Sequence, residues 1–167
     1  MFSSRTGKLH NILKIDGDDI TPELIELMRM QKYDGVIFTS PTFYQSLDLI
    51  PANIKYIDIS AAQSYLTPLT NLPTSLIGIA FSANLPANDS LRDFAYLPYG
   101  IKIVYFPTKF VNWDISILIS EFPPTVEYIV FYNKIYIIDI TNRKVKKIIR
   151  NNFHSVKSEV IFDIRID

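Results

Sequence analysis

The sequence predicts an α/β to mainly β repeat solenoid, a stack of short parallel strands with irregular or short-helical returns, an N-terminal helix and a C-terminal β cap. Three observations carry this. A ten-residue pattern recurs four times at near-constant spacing. Each copy ends in the every-second-residue apolar spacing of a strand. After the last copy the chain changes character, into two further β runs and a basic stretch.

The four copies are Ile50 to Ile59, Leu72 to Phe81, Leu97 to Phe106 and Phe122 to Phe131, with starts 22, 25 and 25 residues apart. All read apolar, Pro, two variable residues, apolar, two variable, apolar, one variable, apolar. Proline presets φ and keeps the residue before it out of the helical region, so it punctuates the approach to each strand. The strand halves are rich in Ile, Val, Tyr and Phe, which suit a pleated surface. A strand this short buries its apolar face only by stacking beside other copies. Two degenerate copies without the proline, Tyr33 to Phe38 and His10 to Ile15, precede the clear ones.

Between the strands, Asp19 to Gln31 reads as a helix. Thr21 is placed to cap it, Pro22 sits where a first-turn proline is tolerated, and Glu23 suits the positive end of the helix dipole. Leu24, Leu27, Met28 and Met30 supply its apolar face. Residues 88–96 have room for one short helical turn, and 112–122 fits either helix or extended chain. Past the repeats, a hairpin is predicted at Asn133-Lys134, then a basic stretch from Arg143 to Arg150, then a last strand from Val160 to Ile166. The expected organisation is a single domain, residues 1–167. Residues 1–30 form its N-terminal cap, 31–132 its repeats and 133–167 a C-terminal β cap that closes the open sheet edge.

The chain has 167 residues, 48% hydrophobic, with 17 basic and 17 acidic side chains. That length supports a proper core, and the balanced charge supplies no overall field toward nucleic acid or an anionic membrane. No cysteine is present, which excludes a disulfide framework, a thiolate zinc site and a cysteine nucleophile. The first fifteen residues hold no apolar run of signal-peptide length, and no run approaches the roughly 20 residues that cross a bilayer. The expectation is a cytoplasmic protein with no membrane contact.

The repeats resemble the leucine-rich-repeat superfamily, and within it the FNIP-type repeats of slime moulds and giant viruses. Asn71-Leu-Pro-Thr-Ser-Leu-Ile-Gly-Ile-Ala-Phe81 is the best copy of that family's Asn-apolar-Pro-x-Ser core, and the likeness runs over roughly residues 30 to 132. The asparagine-ladder position of leucine-rich repeats is held by Asn84 in one repeat and by Ala62, Lys109 and Lys134 in the others. The resemblance therefore implies an irregular, flattened arc that binds a protein partner through its exposed strand face. An abundance of Ile, Asn, Lys and Tyr fits an AT-rich genome, such as that of a virus or protist, and a role in host interaction or as an adaptor. The related Leu-Pro repeats of secreted bacterial ubiquitin ligases work beside a catalytic domain with a cysteine, so that activity does not carry over.

If Ile54, Ile57 and Ile59 point to the core, Tyr56, Asp58 and Ser60 point away. The same register turns out Gly78, Ala80 and Ser82, then Ile103, Tyr105 and Pro107, then Tyr128, Val130 and Tyr132. Tyrosine offers contact area and a hydroxyl at low entropic cost, so Tyr56, Asp58, Tyr105, Tyr128 and Tyr132 are the candidate partner surface. The alternative is that these tyrosines cover the sheet or pack under a loop. A second candidate surface is basic: Lys134, Arg143, Lys144, Lys146, Lys147 and Arg150, in a stretch, 134–157, whose only acid is Asp139. It would suit nucleic acid or an acidic partner, or be simply a solvated face of the cap. Self-assembly into a homo-oligomer through the sheet edge is a third possibility.

No catalytic constellation emerges. The two histidines, His10 and His154, have no nucleophile motif beside them, and five glycines include no phosphate-binding loop. Asp16, Asp18, Asp19 and Glu23 lack the spacing of a calcium loop and read as an acidic helix start. The expectation is a non-enzyme with no metal or cofactor.

Overall fold

The computed structural model of the chain describes residues 11–30, 33–63, 65, 67–82, 94–107, 114–131 and 134–150. They form an α/β fold built on an eight-stranded, mostly parallel sheet. Its strands are β1 (Ile12–Ile15), β2 (Gly35–Phe38), β3 (Tyr56–Asp58), β4 (Gly78–Ala80), β5 (Ile103–Phe106), β6 (Tyr128–Phe131), β7 (Lys134–Asp139) and β8 (Lys144–Arg150). Two helices, α1 (Pro22–Met30) and α2 (Ile115–Glu121), lie in the returns. The strands follow sequence order across the sheet. The pairs from β1 to β6 are parallel, and β7 and β8 turn antiparallel.

The register is the gapless alignment of the repeats. Leu13, Val36, Ile57, Ile79, Val104 and Ile129 are successive partners across six strands. The two degenerate copies thus pair like the others. A one-residue slip would turn every core side chain to the other face, so the repeated apolar positions hold the register. Those positions are buried in the clear copies, as Ile54, Ile57 and Ile59, Leu76, Ile79 and Phe81, Ile101, Val104 and Phe106, and Val126 and Ile129, with Phe131 at the last position partly buried.

The proline has a repeated task. The carbonyls of Pro51, Pro73, Pro98 and Pro123 accept from the N–H groups of Ile54, Leu76, Ile101 and Val126 at 3.1, 3.0, 3.0 and 3.1 Å. Each copy therefore makes the same tight turn before its strand. The residues before Pro51 and Pro123 are extended, with Ile50 at φ −70, ψ 127 and Phe122 at φ −80, ψ 152, as the proline ring demands. Just before each strand, one carbonyl takes two successive N–H groups of the next copy. Asn11, Asp34, Lys55, Ile77 and Lys102 all do so.

The last apolar position of the pattern forms an aromatic ladder. Phe81 stacks on Phe106 with centroids 5.0 Å apart, and Phe106 on Phe131 at 4.9 Å. These distances match the spacing of neighbouring strands. Phe94 and Phe122 pack against the ladder from the returns.

α1 lies within the span expected, and Thr21 caps it. Leu24 N–H donates to Thr21 Oγ1 at 3.2 Å and Ile25 N–H to Thr21 O at 3.0 Å. Met28 is fully buried, but Met30, expected on the apolar face, is 81% exposed. Two residues advance about 200° around a helix, which puts Met30 opposite Met28. The ambiguous stretch 112–122 contributes α2, capped by Asp114, whose Oδ1 accepts from Ser116 N–H at 2.9 Å. The basic stretch is itself a strand, β8. The expected strand from Val160 to Ile166 lies outside the described residues.

Candidate functional site

The strand face with the candidate tyrosines is where the register places it, opposite the main core. It is not open to solvent. Tyr56 is 8% exposed, Asp58 1% and Tyr105 5%. With Ala80, Ile103 and Val130, the two tyrosines form a second buried apolar cluster, and Ile12, Ile77, Tyr128 and Ile135 pack against it. This corrects the expectation of an exposed partner surface there and favours the alternative in which the tyrosines cover the sheet. The physical reason is in the strands themselves. Ile103-Val-Tyr-Phe106 and Tyr128-Ile-Val-Phe131 are apolar at every position, the mark of parallel strands buried on both faces. Asp58 Oδ1 accepts from Ser60 N–H at 2.7 Å. Gly35 belongs to the same face, where an added Cβ would lie 3.1 Å from Tyr56 Cβ. Tyr132 lies outside the described residues. Of the five candidates, Tyr128 is the partly buried exception in the described chain. Its phenol is pushed up by burial and by Glu127, against a smaller opposing effect of Lys102, so it stays a protonated donor.

The basic candidates divide. Arg143 occupies a left-handed backbone position, φ 52, in the turn between β7 and β8. Its guanidinium reaches back to the end of α2, donating to Phe122 O at 3.1 Å, Pro124 O at 3.2 Å and Ile119 O. It therefore serves the helix C-terminus, where carbonyls lack internal donors, rather than a basic surface. Burial lowers its pKa from the ordinary value. Asp139 holds the same turn, accepting from Thr141 N–H at 2.9 Å, Asn142 N–H at 3.2 Å and Asn142 Nδ2 at 3.0 Å. These hydrogen bonds hold its carboxyl below the usual aspartate range, the Asn142 backbone contributing most.

Lys144, Lys146, Lys147 and Arg150 are exposed along β8 and make no ion pair among the described residues. Lys134 and Arg150 face each other across β7 and β8, as do Asp139 and Lys144. Between them the ladder slips. Ile138 pairs with Val145 and Ile137 with Lys147, so Lys146 is the extra residue of a β-bulge. Beside the bulge lies an open cavity of about 600 Å³. Glu127, Tyr128, Ile137, Ile140, Thr141, Lys146 and Lys147 contribute to its walls, as do Ile138 and Asp139. Reading by composition found the lysines and missed the cavity. The available signal was the broken alternation in Lys144-Val-Lys-Lys-Ile-Ile-Arg150, where doubled Lys and doubled Ile mark a strand out of phase.

The acidic run beside α1 is absorbed by the next copy. Thr42 Oγ1 donates to both Asp18 oxygens at 2.9 Å, Gln45 Nε2 donates to Asp19 at 2.7 Å, and Thr39 and Ser40 bond Asp16 and Asp18. Among the described residues no group of three His, Cys, Asp or Glu is arranged to hold a metal, and no helix is long and apolar enough to cross a membrane. Comparison of the chain with protein-family models, with curated proteins and with solved structures found no match.

Proposed function

We propose that this chain is a leucine-rich-repeat-like solenoid that acts without catalysis, as a module that binds an acidic protein surface through its β7–β8 hairpin. The repeat reading is supported by the shared register, the shared proline turn and the shared carbonyl bridge of every clear copy. The observation that carries the binding reading is the set of cations on β8. Four exposed basic side chains, Lys144, Lys146, Lys147 and Arg150, stand in one strand and make no ion pair among the described residues. Across β7, Lys147 stands opposite Ile137 and Arg150 opposite Lys134, and only Lys144 stands opposite an acid, Asp139, whose carboxyl is taken up by its own turn. An acidic protein is favoured over nucleic acid for two reasons. The chain as a whole is neutral, and the aromatic residue that shares a cavity with Lys146 and Lys147, Tyr128, lines a recess instead of a stacking platform.

The test is affinity capture with the wild-type chain and with Lys144→Glu/Arg150→Glu, both checked by circular dichroism. The expected result is an acidic protein held by the wild type, shed as salt rises, and lost from the variant. A partner that the charge-reversed chain retains would defeat this reading. A nucleic acid recovered in its place would move the function to the other basic-surface reading.

A further inference from the structure

We infer that the cavity beside the β8 bulge is an oxyanion-binding site, taking a carboxylate or phosphate that carries a flat apolar neighbour. The inference rests on the binding reading above and gives it a centre. In a regular strand, adjacent side chains point to opposite faces. Lys146 and Lys147 are adjacent and both line one cavity, and the slip between Ile137 and Ile138 leaves Lys146 without a cross-strand partner. Bulges re-aim side chains and recur beside functional sites.

Two acids and two lysines line the cavity. Both acids that line it are already engaged. Glu127 pairs with Lys102 at 3.2 Å, and Asp139 is held by three donors of its own turn. Neither lysine makes an ion pair among the described residues, although Lys146 also exerts a smaller attraction on Asp139. With Glu127 offset by Lys102, the two ammonium groups outnumber the single carboxylate of Asp139 and leave net positive charge for an incoming anion. The Tyr128 phenol, a protonated donor whose pKa burial raises further, lines the same recess. Ile137, Ile140 and the Tyr128 ring supply apolar wall for the group that carries the charge. The oxyanion can be the side chain of an acidic partner or a free phosphate.

Calorimetry with a peptide of alternating Glu and Tyr, and separately with inorganic phosphate, tests this, together with acetylation of the lysines read by mass spectrometry. The expected result is protection of Lys146 and Lys147, with Lys144 still modified. Lys146→Gln/Lys147→Gln should weaken peptide binding about tenfold or more, as the loss of charge-assisted hydrogen bonds implies. Lys144→Gln/Arg150→Gln should weaken it by only about twofold, as rim charges do. Protection by phosphate alone at comparable concentration assigns the site to a free anion, and protection by the peptide alone assigns it to a protein side chain. Equal losses from the two double variants would overturn the cavity and leave a diffuse basic surface standing. Absence of binding and protection with both probes would overturn the cavity too, while the capture experiment judges the surface independently.

Discussion

Replacing Arg143 with Gln separates a structural role from a surface charge. In the structure its guanidinium donates to three carbonyls, those of Ile119, Phe122 and Pro124, around the end of α2. A hydrogen bond from a charged donor contributes about 1.5–3 kcal/mol. The side chain is only partly buried, so the low end applies, and glutamine keeps part of the reach. A cation at a helix C-terminus adds about 0.3–1 kcal/mol. The expected loss is therefore about 2–3 kcal/mol, against about 0.5 kcal/mol for an ordinary surface change. Urea denaturation followed by circular dichroism reads it directly. With a slope of about 2 kcal/mol per molar urea, the midpoint should fall by roughly 1–1.5 M. Lys144→Gln and Arg150→Gln should leave it within about 0.25 M. If Arg143→Gln also stays within that margin, the guanidinium is not holding the helix end, and Arg143 returns to the basic surface.

Three further outcomes follow from the same geometry. Tyr105→Ala should cost about 3 kcal/mol in the same denaturation assay, because Tyr105 sits in the second buried cluster; a change under about 1 kcal/mol would reopen that face as a free surface. Phe106→Ala removes the middle rung between Phe81 and Phe131 and should cost about 3–5 kcal/mol, with Phe106→Leu restoring much of it; similar melting of the Ala variant and wild type would show the ladder to be incidental. Asp114 and Asp139 both titrate below the ordinary aspartate value because of hydrogen bonds in the folded chain. Their contribution is thus present above the unfolded aspartate range, at roughly pH 4, and is lost as pH falls through their lower folded values. Carboxyl titration by NMR should find both midpoints depressed, and Asp139→Asn should flatten the acid limb of the stability curve; unshifted midpoints would count against the turn geometry.

The strand register was legible because the repeat encodes it. Proline at a constant offset and three apolar positions per copy left one gapless alignment, and hydrogen bonding between successive copies follows it. Even the degenerate copies at residues 10–15 and 33–38 could be placed, since Leu13 and Val36 hold the same core position as Ile57. The apolar run of β5 also bore the sign of two-sided burial, although pattern alone could assign only one face to the core. Whether Tyr105 met solvent depended on what packed beyond the sheet, and no local period records that.

The candidate site shows the same division in sharper form. Sequence by itself determined that the chain stacks short parallel strands, that its apolar positions make one continuous core, and that cations concentrate after the last copy. Those properties are local or periodic, and each residue carries its own share of them. Only the tertiary structure decided that Arg143 leaves the basic group for the end of α2, some twenty residues back in the chain. It alone decided that β8 carries one extra residue and that two neighbouring lysines there line a single cavity. Both outcomes depend on which segments meet across the fold. A charge pattern lists the cations, but their partners are chosen by the packing.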